Sequence, residues 1–374
     1  MRLAPAEILR RRGRWVSIIG AVAFIVFLVL VLAALADGLL IGMAGALETA
    51  NADALVFSSD GRRSLIRSEL PISALSSVAA VEGVADAGAL GVLLATAAIG
   101  ADSFDIAIMG HLPGHAGEPK SLVEGRRPEL EEPFVGLADI SLRAQGISLG
   151  DWVTLTGSSH PVEVVGFVQD AQYMLADTLW VPLETWEKLR FEVRPETIGL
   201  GSVAQAFPIL VDVGADVDAV AAAVDRALTT TETVTMNEAI LALPGVEQQQ
   251  STFTAIIVVS FVVVAIVIGL FFALITLEKR GQFAILKAIG SSNPFLLRGV
   301  LVQALIATVA GYALGLGLSR SLALILPSTV PVVFLPSTAL SLFLATVAMG
   351  ALGAAFSFLR IVRIDPASAL GGEV

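Results

Sequence analysis

The residues that could do chemistry are few. The chain has three histidines and no cysteine, which removes disulfides, thiolate metal sites and cysteine nucleophiles. His111 and His115 are four apart, a spacing that on a helix would aim both imidazoles at one metal. Pro113 and Gly114 lie between them, so the segment reads as a surface loop. His160 precedes Pro161 in a turn and reads as solvated. No HExxH, GxSxG or GxxxxGK[ST] occurs, so neither a hydrolase nor ATP hydrolysis in this chain is expected. The acidic pair Glu131–Glu132 beside Pro133 reads as a solvated loop. Asp37 and Glu48 flank Met43 just past an apolar run. Ionisable groups at membrane depth mark substrate or ion sites, whereas a helix ending near residue 37 would leave both in water.

The elements that must position these groups are mostly apolar. Of 374 residues, 55% are hydrophobic and 15% charged, against about 25% charged in ordinary soluble domains, so a soluble enzyme and a disordered chain are both disfavoured. The net charge of −11 disfavours nucleic acid as a partner. A membrane helix needs about 20 apolar residues. Trp15 to Ala36 carries no charge, and its length argues for a retained span rather than a signal peptide. Gln248 to Leu277 and Gly299 to Ser319 are equally uncharged. The stretch from Ser321 to Leu359 is broken by Pro327, Pro331 and Pro336, which leaves a fourth span over 337–359.

The expected layout is a cytoplasmic terminus (1–14), a first helix with an outer extension (15–48), an extracytoplasmic domain (49–250), a second helix (251–277), a cytoplasmic loop (278–298), a third helix (299–325), a fourth (337–359) and a cytoplasmic tail (360–374). The three cytoplasmic segments hold 11 basic and 4 acidic residues and the remainder 12 basic and 30 acidic, which satisfies the positive-inside rule. Arg320 sits on the other side and reads as snorkelling to headgroups. The glycines at 311, 315 and 317 read as close helix packing rather than as a phosphate cradle.

Between the first two spans the pattern is mixed α and β. Strands are expected over 54–58, 104–109, 152–156, 162–168, 178–181, 208–213 and 231–236. Helices are expected over 73–80, 138–145 and 216–228, the last with Asp216 as N-cap, and a hairpin turn over 157–161. The order suggests an outer layer (50–120 and 204–237) interrupted by a β-rich insert (121–203).

The cytoplasmic loop carries the strongest pattern. From Gln282 to Ile289 a short helix would align Phe283, Leu286 and Ile289, with Gly290 as its C′ residue and Asn293–Pro294 as a turn. Such a helix could lie on headgroups or dock into a partner's groove.

The stretch LITLEKRGQFAILKAIGSSNPFLLRGVLVQALIA and the C-terminal RIDPASAL resemble the hallmarks of FtsX/MacB-type ABC transporter permeases. DISLRAQGISLGDWVTLTG and VEVVGFVQDAQYMLADTLWVPLETWEKL resemble that family's periplasmic core domain, and ADGLLIGMAGALETANADALVF with ALPGVEQQQST is most similar to the HrtB/DevC branch. The resemblance implies an α-helical membrane protein with four transmembrane helices per chain, one plus three, and a mixed α/β extracytoplasmic domain of MacB type. It also implies a cell-membrane homodimer, in contact with membrane lipids, working with two copies of an ABC ATPase that bind ATP and Mg. Glu278, Lys279, Arg280, Gln282, Phe283, Leu286, Lys287 and Ile289 would form the ATPase-coupling segment. The chain itself would need no cofactor or metal and would be no enzyme. Its cargo would be an amphiphile, haem or lipid-like, with Asp37, Met43, Glu48 and Tyr312 as candidate contacts (Met349 as a further ligand). The alternatives are an FtsX-like transmitter that activates an external partner without transport, and a sensor partner of a histidine kinase, which the four-span count disfavours.

Overall fold

The computed structural model describes residues 12–99, 102–129, 132–278, 280–327 and 330–362. Lys279, Glu131 and the RIDPASAL segment lie outside them. The chain divides into two compact units, a helical one (1–38 and 250–374) and an α/β one (39–249).

Among the described residues, four helices are long and apolar enough to cross a membrane. Helix α1 runs over Arg12–Thr49; at roughly 1.5 Å per residue it is much longer than one span requires. Its last eleven residues belong to the α/β unit. In the α/β unit, α2 (Leu75–Ala79), α3 (Leu183–Val193), α4 (Val217–Ala227) and α5 (Met236–Leu241) follow. Then come α6 (Val246–Glu278), the short α7 (Arg280–Ala288), α8 (Asn293–Ala323) and α9 (Pro336–Val362). The sequence placed a turn at Asn293–Pro294. Instead Pro294 opens α8, where its missing N–H costs nothing.

The helical unit is closed by small residues. A Cβ at Gly311 would stand 2.6 Å from the Val22 side chain, and one at Gly315 2.8 Å from the Ala23 carbonyl oxygen, so α1 and α8 touch backbone to backbone. Gly317 faces open space. On α9, Gly353 meets Ala265 and Gly269 of α6, and Gly350 meets Thr308 of α8.

The strands among the described residues of the α/β unit are β1 (Ala54–Ser58), β2 (Leu70–Pro71), β3 (Val84–Ala87), β4 (Leu90–Ile99), β5 (Asp102–His111), β6 (Glu124–Gly125), β7 (Val135–Asp139), β8 (Trp152–Leu155), β9 (Val162–Val168), β10 (Asp177–Pro182), β11 (Val203–Ala204), β12 (Phe207–Val211) and β13 (Thr231–Thr235). An antiparallel sheet has the order β13-β1-β12-β3, and α4 lies against it, with Asp216 capping α4 by accepting from the Asp218 N–H. A second sheet has the order β6-β9-β7-β10-β5-β4-β8 and curls until β8 also pairs with β9, which closes a barrel.

That closure changes the expected layering. The long β4–β5 hairpin lies before residue 121 yet supplies two barrel staves, so the barrel is not confined to an insert over 121–203. The helix expected over 138–145 is a 3-10 turn only from Ile140; Ala138 and Asp139 complete β7 between two strand neighbours. Helix α3 covers the barrel by dropping Trp186 onto Gly91 and Gly110, which face each other across β4 and β5. A Cβ on either would stand 2.5 Å from the indole.

Candidate functional site

The C-terminal end of α1 is built into the α/β unit by backbone hydrogen bonds. Within a continuous helix the Ala46 N–H would donate to the Gly42 carbonyl. Here it donates to the Gln172 carbonyl at 2.8 Å, and the Leu175 N–H donates to the Gly42 carbonyl at 2.7 Å. The Met174 N–H adds a bond to the Met43 carbonyl at 3.0 Å. A loop is thereby spliced into the helix ladder. Two glycines admit it: a Cβ at Gly45 would stand 2.4 Å from the Asp170 carbonyl oxygen, and one at Gly42 2.8 Å from the Leu175 side chain.

The loop is held in a costly shape. Asp170, Met174 and Leu175 all have positive φ, which a non-glycine residue keeps only where its surroundings impose it. Asp139, almost fully buried, accepts from the Ala171 N–H at 2.7 Å and the Ser141 N–H at 2.8 Å. Burial raises its carboxyl above the ordinary range, and the Ser141 and Ala171 bonds pull it partly back. Gln172 donates to Asp177 at 2.7 Å, and Thr178 to the Ala171 carbonyl at 2.7 Å. A second stitch follows where α1 ends: Lys120 N–H to the Thr49 carbonyl at 2.7 Å and Asn51 N–H to the Glu118 carbonyl at 2.9 Å.

The candidate cargo residues divide between the units. Met43, half-buried, and Glu48, exposed, sit on the clamped end of α1 in the α/β unit. Asp37 and Tyr312 belong to the helical unit, and both reach the first turn of α9. Asp37 is hydrogen-bonded to Thr338, leaving its Oδ2 buried without a partner, and the Tyr312 hydroxyl donates to the Ala339 carbonyl at 2.5 Å. The proline-rich connection before α9 lies on the same end of α1: the Val333 N–H donates to the Ala34 carbonyl at 3.0 Å, and the Pro331 carbonyl rests on Gly38. Arg320 stacks its guanidinium 5.0 Å from the centre of the Phe334 ring in that connection.

Helix α7 forms where the sequence pattern placed it, and Gly290 closes it with φ +97° and its N–H on the Lys287 carbonyl. Its apolar residues face two ways. Leu286 is half-buried against the core of the helical unit, whereas Ile285 and Ile289 are 60% and 75% exposed beside the exposed Gln282. Ile285 takes the outward place that the sequence stripe gave to Leu286. Glu278 ends α6, Arg280 and Phe283 lie within α7 by their backbones, and Lys287 is half-buried on α7.

The histidines share no site. His111, expected in a surface loop, ends β5 fully buried with its ring 5.9 Å from Trp180, while His115 pairs with Asp86 at 3.0 Å. His160 stacks on Phe134 and bonds Glu192 at 2.8 Å. Among the described residues no three histidines or carboxylates gather as a metal site.

Residues 254–366 match the FtsX-like permease C-terminal family. The chain is 25% identical over 254 residues to a putative hemin transport system permease protein HrtB of Staphylococcus haemolyticus, covering 67% of each chain. It is 25% identical over 371 residues to an uncharacterized ABC transporter permease, Rv0072, of Mycobacterium tuberculosis, covering 97% of each. Among solved structures, the periplasmic region of MacB from Actinobacillus actinomycetemcomitans aligns at a TM-score of 0.40 and 15% identity, over 51% of this chain and 92% of that one. The family match takes in most of α6 and all of α8 and α9, and 97% of the chain aligns to an ABC transporter permease, so the chain is similar to ABC transporter permeases of the FtsX and HrtB kind.

Proposed function

We propose that this chain is the permease of an exporter in the cell membrane. It works as a homodimer with two separate ATPase subunits, its termini are cytoplasmic and its α/β unit lies outside. Its cargo is an amphiphile, haem or lipid-like, a reading supported by the similarity to a hemin transport permease and by the apolar setting. ATP and Mg belong to the ATPase. Ile285, Ile289 and Gln282 meet the ATPase, with Lys287 and its basic neighbours at the rim and Leu286 anchoring α7 to the bundle. Closure of the ATPases displaces α7 and the helix ends beside it, and the displacement reaches the α/β unit through α1.

The observation that carries this reading is the splice of residues 170–175 into the α1 ladder. A helix whose own hydrogen bonds are shared with a folded domain cannot slide past it without breaking several bonds at once. Met43 and Glu48 sit on that clamped end and are assigned to cargo contact. Asp37 and Tyr312 reach cargo only by releasing Thr338 and Ala339, which makes them gate bonds.

The test is ATPase activity of the permease–ATPase complex in nanodiscs with haem and a panel of lipids. Ile285→Ala/Ile289→Ala is expected to cut ATPase association at least tenfold. Gly45→Val is expected to keep association and basal hydrolysis but lose stimulation by cargo. Full stimulation in both variants would sink the proposal. Stimulation by an external protein and by no amphiphile would replace it with the signal-transmitter reading.

A further inference from the structure

Where α6 approaches α7, the helical unit holds a cavity of about 650 Å³ between α6, the start of α8 and the end of α9. That volume is typical of a small-molecule site, for which roughly 300–1,000 Å³ is usual. Its walls include Ala273 and Leu270 of α6, Leu297 of α8, and Leu352, Phe356 and Ser357 of α9. Gly269 and Gly353 set its depth, because their contact brings α6 and α9 together along one edge of the hole.

Ser357 is the unusual wall residue. Several hydroxyls in this unit turn back on their own helices: Thr308 to Ala304 at 2.8 Å, Ser319 to Gly315 at 2.9 Å, Thr346 to Leu342 at 2.6 Å; Thr276, which is not on the cavity wall, shares with Ser357 a buried hydroxyl without a partner. The Ser357 hydroxyl is buried, lines the cavity and has no hydrogen-bond partner among the described residues. A buried hydroxyl left unpaired costs about 1–3 kcal/mol, so this one marks a place where a ligand's acceptor belongs. Water does not suit the rest of the wall, which is apolar and offers a water too few polar partners. The three helices that form the cavity are apolar enough to sit in lipid, and the charge next to it in the chain is positive. Exposed Arg298 follows the wall residue Leu297, and the segment 278–298 carries four basic residues against one acidic.

We infer that this cavity binds one chain of an anionic phospholipid, with an ester oxygen on Ser357 and the phosphate toward Arg298. The inference needs only a permease in a bilayer; it does not depend on the exporter reading, on a cargo or on the ATPase.

The test uses the purified full-length permease in nanodiscs containing phosphatidylglycerol or phosphatidylcholine with a diazirine in one acyl chain, followed by peptide mapping after illumination. Labelling of 265–273 and 349–357 should exceed that of the lipid-exposed face over 256–263 at least fivefold. Phosphatidylglycerol should label more than phosphatidylcholine. Ala273→Phe, which fills the hole from α6, should abolish the excess, and Leu352→Trp should do so from α9 should the first variant fold poorly. Ser357→Ala, which keeps the volume, should lower it about threefold. Uniform labelling along α6, equal labelling by the two lipids, or a cavity left dark because a second copy covers it (read by a Leu270→Cys cross-link) would each overturn the inference.

Discussion

The two units use polar groups in opposite ways. In the α/β unit, buried polar groups tie distant segments together: Gln205 accepts from the Val92 N–H, Thr231 and Thr233 bond Asp225, and Asp139 holds the loop that clamps α1. In the helical unit most hydroxyls are spent on their own helix, and the helices meet instead through Gly311, Gly315, Gly350 and Gly353. Directional bonds fix register and resist sliding. Contacts between small residues fix distance and add no directional bond along the helix axis. Under the proposed function, the first would suit a domain that moves as a body and the second a bundle that rearranges. Two cross-helix bonds at the start of α9, from Asp37 and Tyr312, depart from that pattern.

The contrast predicts that acid attacks the α/β unit. His111 is fully buried. Burial, only partly offset by the Leu112 backbone and reinforced by the Arg127 charge, pushes its pKa down to about 4. An unfolded histidine titrates near 6.5, so between those values the unfolded state binds more protons. Stability from this residue is complete above about pH 6.5 and is lost as pH falls toward 4, by about 3 kcal/mol in all. Urea unfolding of the α/β unit, followed by the fluorescence of Trp180 and Trp186, should show that slope. His111→Phe, which keeps a ring against Trp180, should flatten it. A slope that survives the substitution would place the acid sensitivity elsewhere.

The bundle should answer to volume. Gly315→Val drives a side chain into the Ala23 carbonyl and the Phe27 backbone and should cost about 1–3 kcal/mol. Gly317→Ala, two residues along the same helix, meets nothing within 4 Å and should be neutral or slightly stabilising, by at most about 1 kcal/mol. Thermal unfolding in detergent at pH 5 and pH 7 would read both. Equal effects of the two substitutions would mean that α1 and α8 do not meet through these glycines.

How much of this was legible follows the same division. Apolar runs announce membrane helices because hydrocarbon tolerates little else, and the glycines at 311 and 315 could be assigned to packing from their place in such a run. Gly290 and Asp216 signalled their helix ends because caps are local chemistry. The barrel was harder. LGVLLATAAI of β4 has no polar alternation and is rich in alanine and leucine, so only its pairing with β5 makes it a strand. The slot for Trp186 needs Gly91 and Gly110 to face each other, a matter of register. The clamp was the least legible part. Its left-handed residues are Asp170, Met174 and Leu175, none a glycine; Gly42 and Gly45, spaced three apart just beyond the apolar run, were the available signal.

The smallest expected effect tests whether polar bonding in the α/β unit matters at its rim as it does in its core. Glu192, near the end of α3, accepts from Ser158 at 2.5 Å, from the Ser159 hydroxyl and N–H, and from His160, holding the β8–β9 turn. The Ser158 bond, with those from Ser159 and His160, lowers its pKa to about 2 despite some desolvation. A depressed carboxyl contributes stability above its unfolded value near 4.3 and loses it as pH falls through about 2, so the window lies below that of His111 and the two are separable. The side chain is more than a quarter exposed, so solvent screening should keep the loss in Glu192→Gln below about 1 kcal/mol at pH 7. Amide exchange at Ser159 and His160 should quicken in that variant even if the unfolding midpoint hardly moves. Unchanged exchange would show that the turn is held by Gly157 and the β8–β9 pairing alone, and that directional bonding carries weight only where the α/β unit is dry.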